Sequence, residues 1–250
     1  ASPQWEEDHF RDVMPRNDPD IWPVFMDYVL NANEHKSPKE ELFVVKRKAA
    51  DFSEPPDEGM RVTWLGHSSL LVEIDGYTVL VDPVWGERAS PVSWAGPKRF
   101  HRPPMELKDL PKLDAIIISH DHYDHLDYPT ILELAKTDVK FIMPLGVGSH
   151  LEYWGVSPDR IVELEWWQSH QVGDLKLVAT PARHFSGRAI VRNQTLWAGW
   201  AFIGQKHRIW YSGDTAMFDG ISEIGDRYGP FDVTIVEVGA YNQRWADVHL

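Results

Sequence analysis

The sequence predicts a layered α/β domain in which short strands alternate with short helices. Three observations lead there: apolar runs of strand length recur from Met60 onward, Gly, Pro or Asp turn signals punctuate them, and short helical patterns lie between several of them. At 250 residues, with 43% hydrophobic and 12% aromatic content, the chain has ample material for a core.

Residues 1–60 read as an N-terminal extension and linker, rich in proline and charge. They hold one amphipathic candidate helix, "DIWPVFMDYVLNAN", capped by Asp20, with Ile21, Phe25, Tyr28 and Val29 on one face. Packing on the main domain explains that face better than a membrane anchor does. "VVKRKAADFSEPPDEG" reads as a linker closed by Pro55 and Pro56.

The main domain, 61–250, opens with "RVTWLGHSSLLVEIDGYTVLVDPV". This is a strand, a Gly-containing bend and a hairpin whose Asp75-Gly76 pair is the strongest short turn signal in the chain. "LDAIIISH" is a buried strand, and "PTILELAK" is a helix with Pro129 in its first turn. "VKFIMPLG" is a strand and "GSHLEYWG" a helix. "DRIVELEWWQSHQVGDLKLVATPARH" supplies two or three strands, with Trp166 and Trp167 on opposite faces of one of them. "TLWAGWAFIGQKHRIWYSGDT" is a hairpin, "FDGISEIGDRYG" a helix and "FDVTIVEVGA" a strand.

Composition excludes several function classes. With no cysteine, disulfides and thiolate metal sites are absent, so any metal is held by imidazole and carboxylate. A formal net charge of -13 opposes broad nucleic-acid binding. No apolar run approaches the roughly 20 residues that span a bilayer, and "ASPQWEEDHF" lacks the build of a signal peptide. The chain therefore reads as soluble and cytoplasmic, although its first residue is Ala and a processed segment can precede it.

The chemistry concentrates in "SHDHYDHLD", residues 119–127, where three histidines and three aspartates directly follow an apolar strand. So dense a polar cluster needs a partner for every nitrogen and oxygen, and a metal ion supplies it economically. His120 and His122 alternate and can aim at one ion, while Asp124 and His125 can reach a second. Two ions at about 3.5–4 Å can share a water, lower its pKa and clamp an oxyanion, which is hydrolytic chemistry. Further ligands are expected at later strand ends: His184 in "TPARHFSGR", Asp214 in "YSGDT" and His249 in "ADVHL". Any one of these alone reads equally as a turn former or a satisfied histidine.

The pattern His-x-His-x-Asp-His with later His, Asp and His resembles the metallo-β-lactamase superfamily, which implies an αββα sandwich. The resemblance implies that His120, His122 and His184 hold one ion, that Asp124, His125 and His249 hold the other, and that Asp214 bridges. "WLGHSSLLVEIDGYTVLVDPVWGERASP", "GPKRF", "ISHDHYDHLDYPT", "SGDT", "GPFDV" and "GAYNQRW" look like the branch that contains N-acyl-phosphatidylethanolamine-hydrolysing phospholipase D, over roughly residues 60–250. Chains of the family usually run on past the last metal histidine, whereas this one stops at Leu250, so the sandwich is expected to lack C-terminal elements here.

This branch implies two Zn²⁺ per chain; manganese and iron suit the same donors. It implies a phosphodiesterase acting on a lipid or small phosphodiester, with Asp124 orienting the nucleophile and with peripheral membrane contact. A lactone or ester hydrolase and a metal-binding, non-catalytic regulator are the competing readings. Lys98, Arg99 and Arg188 are candidates for holding phosphate oxygens, or are simply solvated charges. In this branch a residue placed like His67 can sit near the metal centre, with support of the ligands or packing as the alternative; Asp82 is a candidate for accepting a hydrogen bond from a ligand imidazole, against a strand-ending turn. Trp85, Trp94 and Trp245 either line an apolar pocket or cover the sandwich edge.

Overall fold

The computed structural model describes residues 2–15, 37–188, 191–239 and 245–250; the helix predicted at 20–33 lies outside them. The chain begins with a small hairpin, β1 (Trp5–Glu6) and β2 (His9–Phe10). Then β3 (Met60–Gly66), β4 (Ser69–Ile74), β5 (Tyr77–Val81), β6 (Ala115–Ile117), β7 (Phe141–Pro144) and β8 (Ile161–Leu164) line up in that order as a six-stranded sheet. It is antiparallel from β3 to β5 and parallel from β5 to β8. The crossovers β6 to β7 and β7 to β8 carry α1 (Tyr128–Leu134) and α2 (Gly148–Tyr153).

A second sheet holds β9 (Ser169–Val172), β10 (Leu175–Thr180), β11 (Gly199–Ile203), β12 (Arg208–Tyr211) and β13 (Val233–Ile235), ordered β13-β12-β11-β10-β9. Only its β12–β13 pair is parallel, and α3 (Gly220–Tyr228) lies on that connection. The Asp75-Gly76 turn is as predicted: Ile74 pairs with Tyr77, and φ is positive at Asp75 (49°) and at Gly76 (89°), as a two-residue loop of the type I′ kind requires. Trp166 and Trp167 correct the sequence reading, because they form the turn between β8 and β9 rather than part of a strand.

Strand alternation builds three apolar layers. Leu70, Val72, Val79 and Ile117 face Leu175, Leu177, Trp200 and Phe202 between the sheets. On the other face of the first sheet, Leu71, Leu80, Ile116 and Phe141 meet Ile131 and Leu134 of α1 and Leu151 of α2. Val178, Ala201 and Trp210 of the second sheet meet Ile224 of α3. Strands buried on both faces explain the near-continuous apolar runs, and the result is the αββα sandwich. The N-terminal hairpin joins it: Phe10 is buried in the central layer and its N–H donates to the Asn193 carbonyl at 2.8 Å.

Candidate metal centre

The site sits where several strands of both sheets end. β6 delivers Ser119 and the loop 120–127, β5 delivers Asp82, β10 leads to His184, and β12 leads to Asp214. The loop is folded on itself by the N–H groups of His125 and Leu126, which donate to the His122 carbonyl at 3.0 and 2.8 Å. It is also gripped from outside. Arg188 donates from Nη1 to the carbonyls of Asp121 (2.8 Å) and Leu126 (2.7 Å), with its guanidinium 3.9 Å over the Tyr123 ring.

Every predicted ligand arrives at one place. Among the described residues, ligand atoms lie within 4.8 Å of one another in four overlapping groups: His120–His122–His184, His120–His125–Asp214, His184–Asp214–His249 and His67–Asp124–His125. His120 Nε2 and His122 Nδ1 are 2.8 Å apart, and His184 Nε2 lies 3.3 Å from the same His122 Nδ1. His125 Nε2 stands 3.2 Å from Asp214 Oδ1 and 4.0 Å from Asp124 Oδ2.

The outer nitrogens explain why the inner ones are available. Ser119 Oγ donates to Asp82 Oδ2 at 2.6 Å and so accepts from His120 Nδ1–H at 2.9 Å. His125 Nδ1–H donates to Asp82 Oδ2 at 2.8 Å, and His184 Nδ1–H to the Val248 carbonyl at 2.9 Å. Each bond fixes the tautomer that turns an Nε2 lone pair inward, the arrangement by which surrounding groups aim metal-binding imidazoles. Asp82 is fully buried and also accepts from the Ser119 N–H (2.6 Å) and the Tyr211 hydroxyl (2.7 Å).

Electrostatics agree with a cation. Burial pushes His120, His122 and His184 down from the ordinary imidazole range, which favours the neutral form that a metal ion needs. Burial also opposes charge on His125, but the Asp214 and Asp124 carboxylates outweigh it and raise that imidazole well above its usual value. Burial likewise acts to raise the Asp214 carboxyl, and the His125 charge beside it holds it well below the usual range. In the protein alone, a protonated His125 thus supplies positive charge that the carboxylates demand. The fit to a metal is also geometric: tetrahedral ligands at 2.0–2.2 Å stand about 3.4 Å apart, close to the 3.2–3.3 Å found for His184–His122 and His125–Asp214.

The remaining candidates divide. Asp82 bonds a site imidazole, as anticipated, and His67 Nε2 donates to Asp124 Oδ2 at 2.8 Å. Arg99 turns inward, donating to the carbonyls of Gly86 (2.9 Å) and Val84 (2.7 Å), so both it and Arg188 brace loops. Lys98 is exposed and paired with Glu87 at 2.6 Å. A cleft of about 510 Å³ opens at His67, His122 and Asp124, walled by Trp64, Val84, Pro97 and Phe100. Trp85 is not in that wall: its Nε1 donates to the Met105 carbonyl and its ring packs against the layer under α1. Trp94 is 80% exposed.

Three contributors escaped the sequence reading. Trp64 forms a cleft wall from a strand end, 60% exposed, and an exposed tryptophan beside "LGHSS" was the available signal. Tyr211 and Ser119, the other members of the Asp82 cluster, had none, because their partners are distant in sequence. Asp121 of the same loop is buried and accepts from the Gly187 N–H (2.7 Å) and from His150 Nε2 (3.2 Å).

A family profile described as a beta-lactamase superfamily domain matches residues 77–250. A protein of Mycobacterium tuberculosis described only as uncharacterized is 54% identical over 192 residues, covering 76% of this chain and 52% of its own. The N-acyl-phosphatidylethanolamine-hydrolyzing phospholipase D 1 of Caenorhabditis elegans is 39% identical over 200 residues, covering 76% and 56% respectively. The chain thus spans about half the length of these curated relatives. Among solved structures, a metallo hydrolase from the archaeon Ignicoccus hospitalis superposes with a TM-score of 0.55 at 25% identity, over 73% of this chain and 72% of its own.

Proposed function

We propose, from the premise that this chain belongs to the beta-lactamase superfamily and is a metal-dependent hydrolase, that it is a dinuclear zinc phosphodiesterase of phospholipase D type. The substrate would be an N-acyl-phosphatidylethanolamine-like lipid or a small phosphodiester. The observation that carries this reading is the junction of two features: the His/Asp cluster that gathers the seven predicted ligands and an apolar-walled cleft that ends on it. Likeness to the nematode phospholipase D supports the choice of substrate class.

In this reading His120, His122 and His184 would hold one ion, and Asp124, His125 and His249 the other, with Asp214 available to both. When bound, such ions polarise a phosphoryl oxygen and acidify a shared water. The protein's own groups do the rest. Asp124, at the cleft floor and 34% exposed on its side chain, accepts a hydrogen bond from the attacking water and orients it. Trp64, Val84 and Phe100 take the apolar portion of the substrate and exclude bulk water. Lys98, at the rim, can leave its exposed Glu87 pair for a phosphate oxygen. Exposed Phe43 and Trp94 suit contact with a lipid surface.

The test is turnover by the zinc-loaded protein of N-acyl-phosphatidylethanolamine in mixed micelles, of bis(p-nitrophenyl) phosphate and of a lactone panel. Release of phosphatidic acid or of p-nitrophenol supports the reading; lactone opening without phosphodiester cleavage replaces it with the lactonase alternative.

A further inference from the structure

His67 stands between the cleft and the histidine cluster. It occupies the tight bend between β3 and β4 with φ of 51°, in the left-handed region, which a non-glycine residue enters at a cost and which marks functional positions when the surroundings enforce it. The surroundings do enforce it. Trp64 Nε1 donates to the His67 carbonyl at 2.8 Å, and the adjacent Ser68 Oγ donates to the Asp124 carbonyl at 2.6 Å. The first bond closes the bend on itself, and the second ties it to the loop that carries Asp124 and His125.

The side chain is correspondingly aimed. Its Nε2 lies 2.8 Å from Asp124 Oδ2 and its ring centre 5.9 Å from that of His125, edge to face. His67, Asp124 and His125 offer ligand atoms that all lie within 4.8 Å of one another. His249 is arranged differently. Among the described residues it groups with His184 and Asp214, and its Nδ1–H donates to Glu237 Oε1 at 3.0 Å. His67 thus stands where the cluster meets the cleft, and His249 joins the cluster through His184 and Asp214.

We propose that His67 is a ligand of the ion held by Asp124 and His125, so that this ion is reached from the β3–β4 bend as well as from the strand-end loops. The proposal rests on the dinuclear reading and adds an eighth residue to it. Exchange of the present Nε2–H to Oδ2 bond for coordination needs the two atoms to part from 2.8 Å to about 3.4 Å, a movement within reach of an exposed side chain. One consequence follows for access: a cleft-wall residue that is also a ligand places the second ion at the floor of the cleft.

Metal binding tests this without any assay of activity. The protein and its His67→Asn variant are stripped with chelator, reloaded with Zn²⁺ by equilibrium dialysis and analysed for bound metal; asparagine tolerates the left-handed backbone but is too short to reach. The expected result is two ions in the parent and, in the variant, either one ion or a second bound at least tenfold more weakly. Co²⁺ loading should show loss of one site's visible absorption in the same variant. Two ions bound with unchanged affinity and spectrum overturn the proposal and leave the dinuclear reading intact. Fewer than two ions in the parent overturn both. Circular dichroism of the metal-free forms checks the fold, and His67→Gly replaces the asparagine variant if that one does not fold.

Discussion

The two ends of the sandwich handle buried polarity in opposite ways. At the end away from the metal loop, Asp75 of the β4–β5 turn accepts from the Lys206 N–H (2.7 Å), the His207 N–H (3.0 Å) and His207 Nδ1–H (2.7 Å). Nearby, the Asp174 N–H donates to the Tyr77 hydroxyl at 2.7 Å. All four bonds link elements of the two sheets, each pairing a donor with an acceptor. At the other end imidazoles crowd nitrogen against nitrogen: His122 Nδ1 lies 2.8 Å from His120 Nε2 and 3.3 Å from His184 Nε2, and one neutral ring has a single proton to offer. One end pairs carboxylate with donor; the other gathers imidazoles and carboxylates in a group that could hold a cation, and that contrast separates stability from chemistry along the same strands.

Four experiments sharpen or break this contrast. The largest effect is expected from His122→Ala, which removes the nitrogen on which two others converge. Loss of a merely supporting partner in a metal site lowers activity about 10–100-fold, so kcat/KM should fall by more than about 100-fold while circular dichroism is unchanged. Chelation comes next: turnover should vanish and return with added zinc. At free ion about 100 times its Kd the linked stabilisation is about 2.7 kcal/mol, a shift in melting temperature of roughly 5–10 °C for a domain of this size. Asp82→Asn should lower kcat/KM roughly 10–100-fold, because it disturbs the tautomer of His125 and the hydroxyls that hold His120.

The smallest effect on chemistry belongs to the far end. Asp75→Asn should destabilise by about 1–3 kcal/mol in denaturant melts, with kcat/KM altered less than about twofold. Burial acts to raise the Asp75 carboxyl, and the Lys206 and His207 donors overcome it and hold it below its ordinary value. A depressed carboxylate contributes stability that is present above its unfolded pKa and lost as pH falls through the folded one. The gap between the parent and Asp75→Asn should therefore be constant at neutral pH and close below about pH 4. A gap that persists at lower pH would mean that the turn is held by something other than this charge.

The cluster's histidines and aspartates could be picked out because strand ends announce themselves: an apolar run, then "SHDHYDHLD" or "SGDT", is a local pattern, and the fold brings those residues together. So was the Asp75-Gly76 hairpin, whose turn chemistry is contained in two residues. Trp166 and Trp167 misled because tryptophan favours strands, whereas here Trp167 takes φ of 71° in a turn, stacked on Tyr228 with the Arg227 guanidinium 4.1 Å from its ring. That stacking is tertiary and leaves no local trace. Arg99 and Arg188 looked like phosphate ligands for a related reason: a guanidinium serves a loop carbonyl as well as a phosphate, and only the fold shows which carbonyls lack donors. The basic and acidic members of the site were thus readable as types, and their assignments depended on distance in space.

The N-terminal hairpin has a mechanical role in this scheme. Phe10 is anchored between the sheets and bonds Asn193, and the Asp8 carbonyl accepts from Gln194 Nε2 at 2.7 Å. Both partners follow the segment that bears Arg188, whose guanidinium clasps the ligand loop at Asp121 and Leu126. Asn193 in turn bonds Ser186, its N–H donating to the Ser186 carbonyl at 3.0 Å and its Oδ1 accepting from the Ser186 N–H at 3.2 Å, two residues past His184. A line of hydrogen bonds therefore joins the hairpin to the segment that carries His184, which makes residues 8–10 a buttress of that segment from outside the two main sheets.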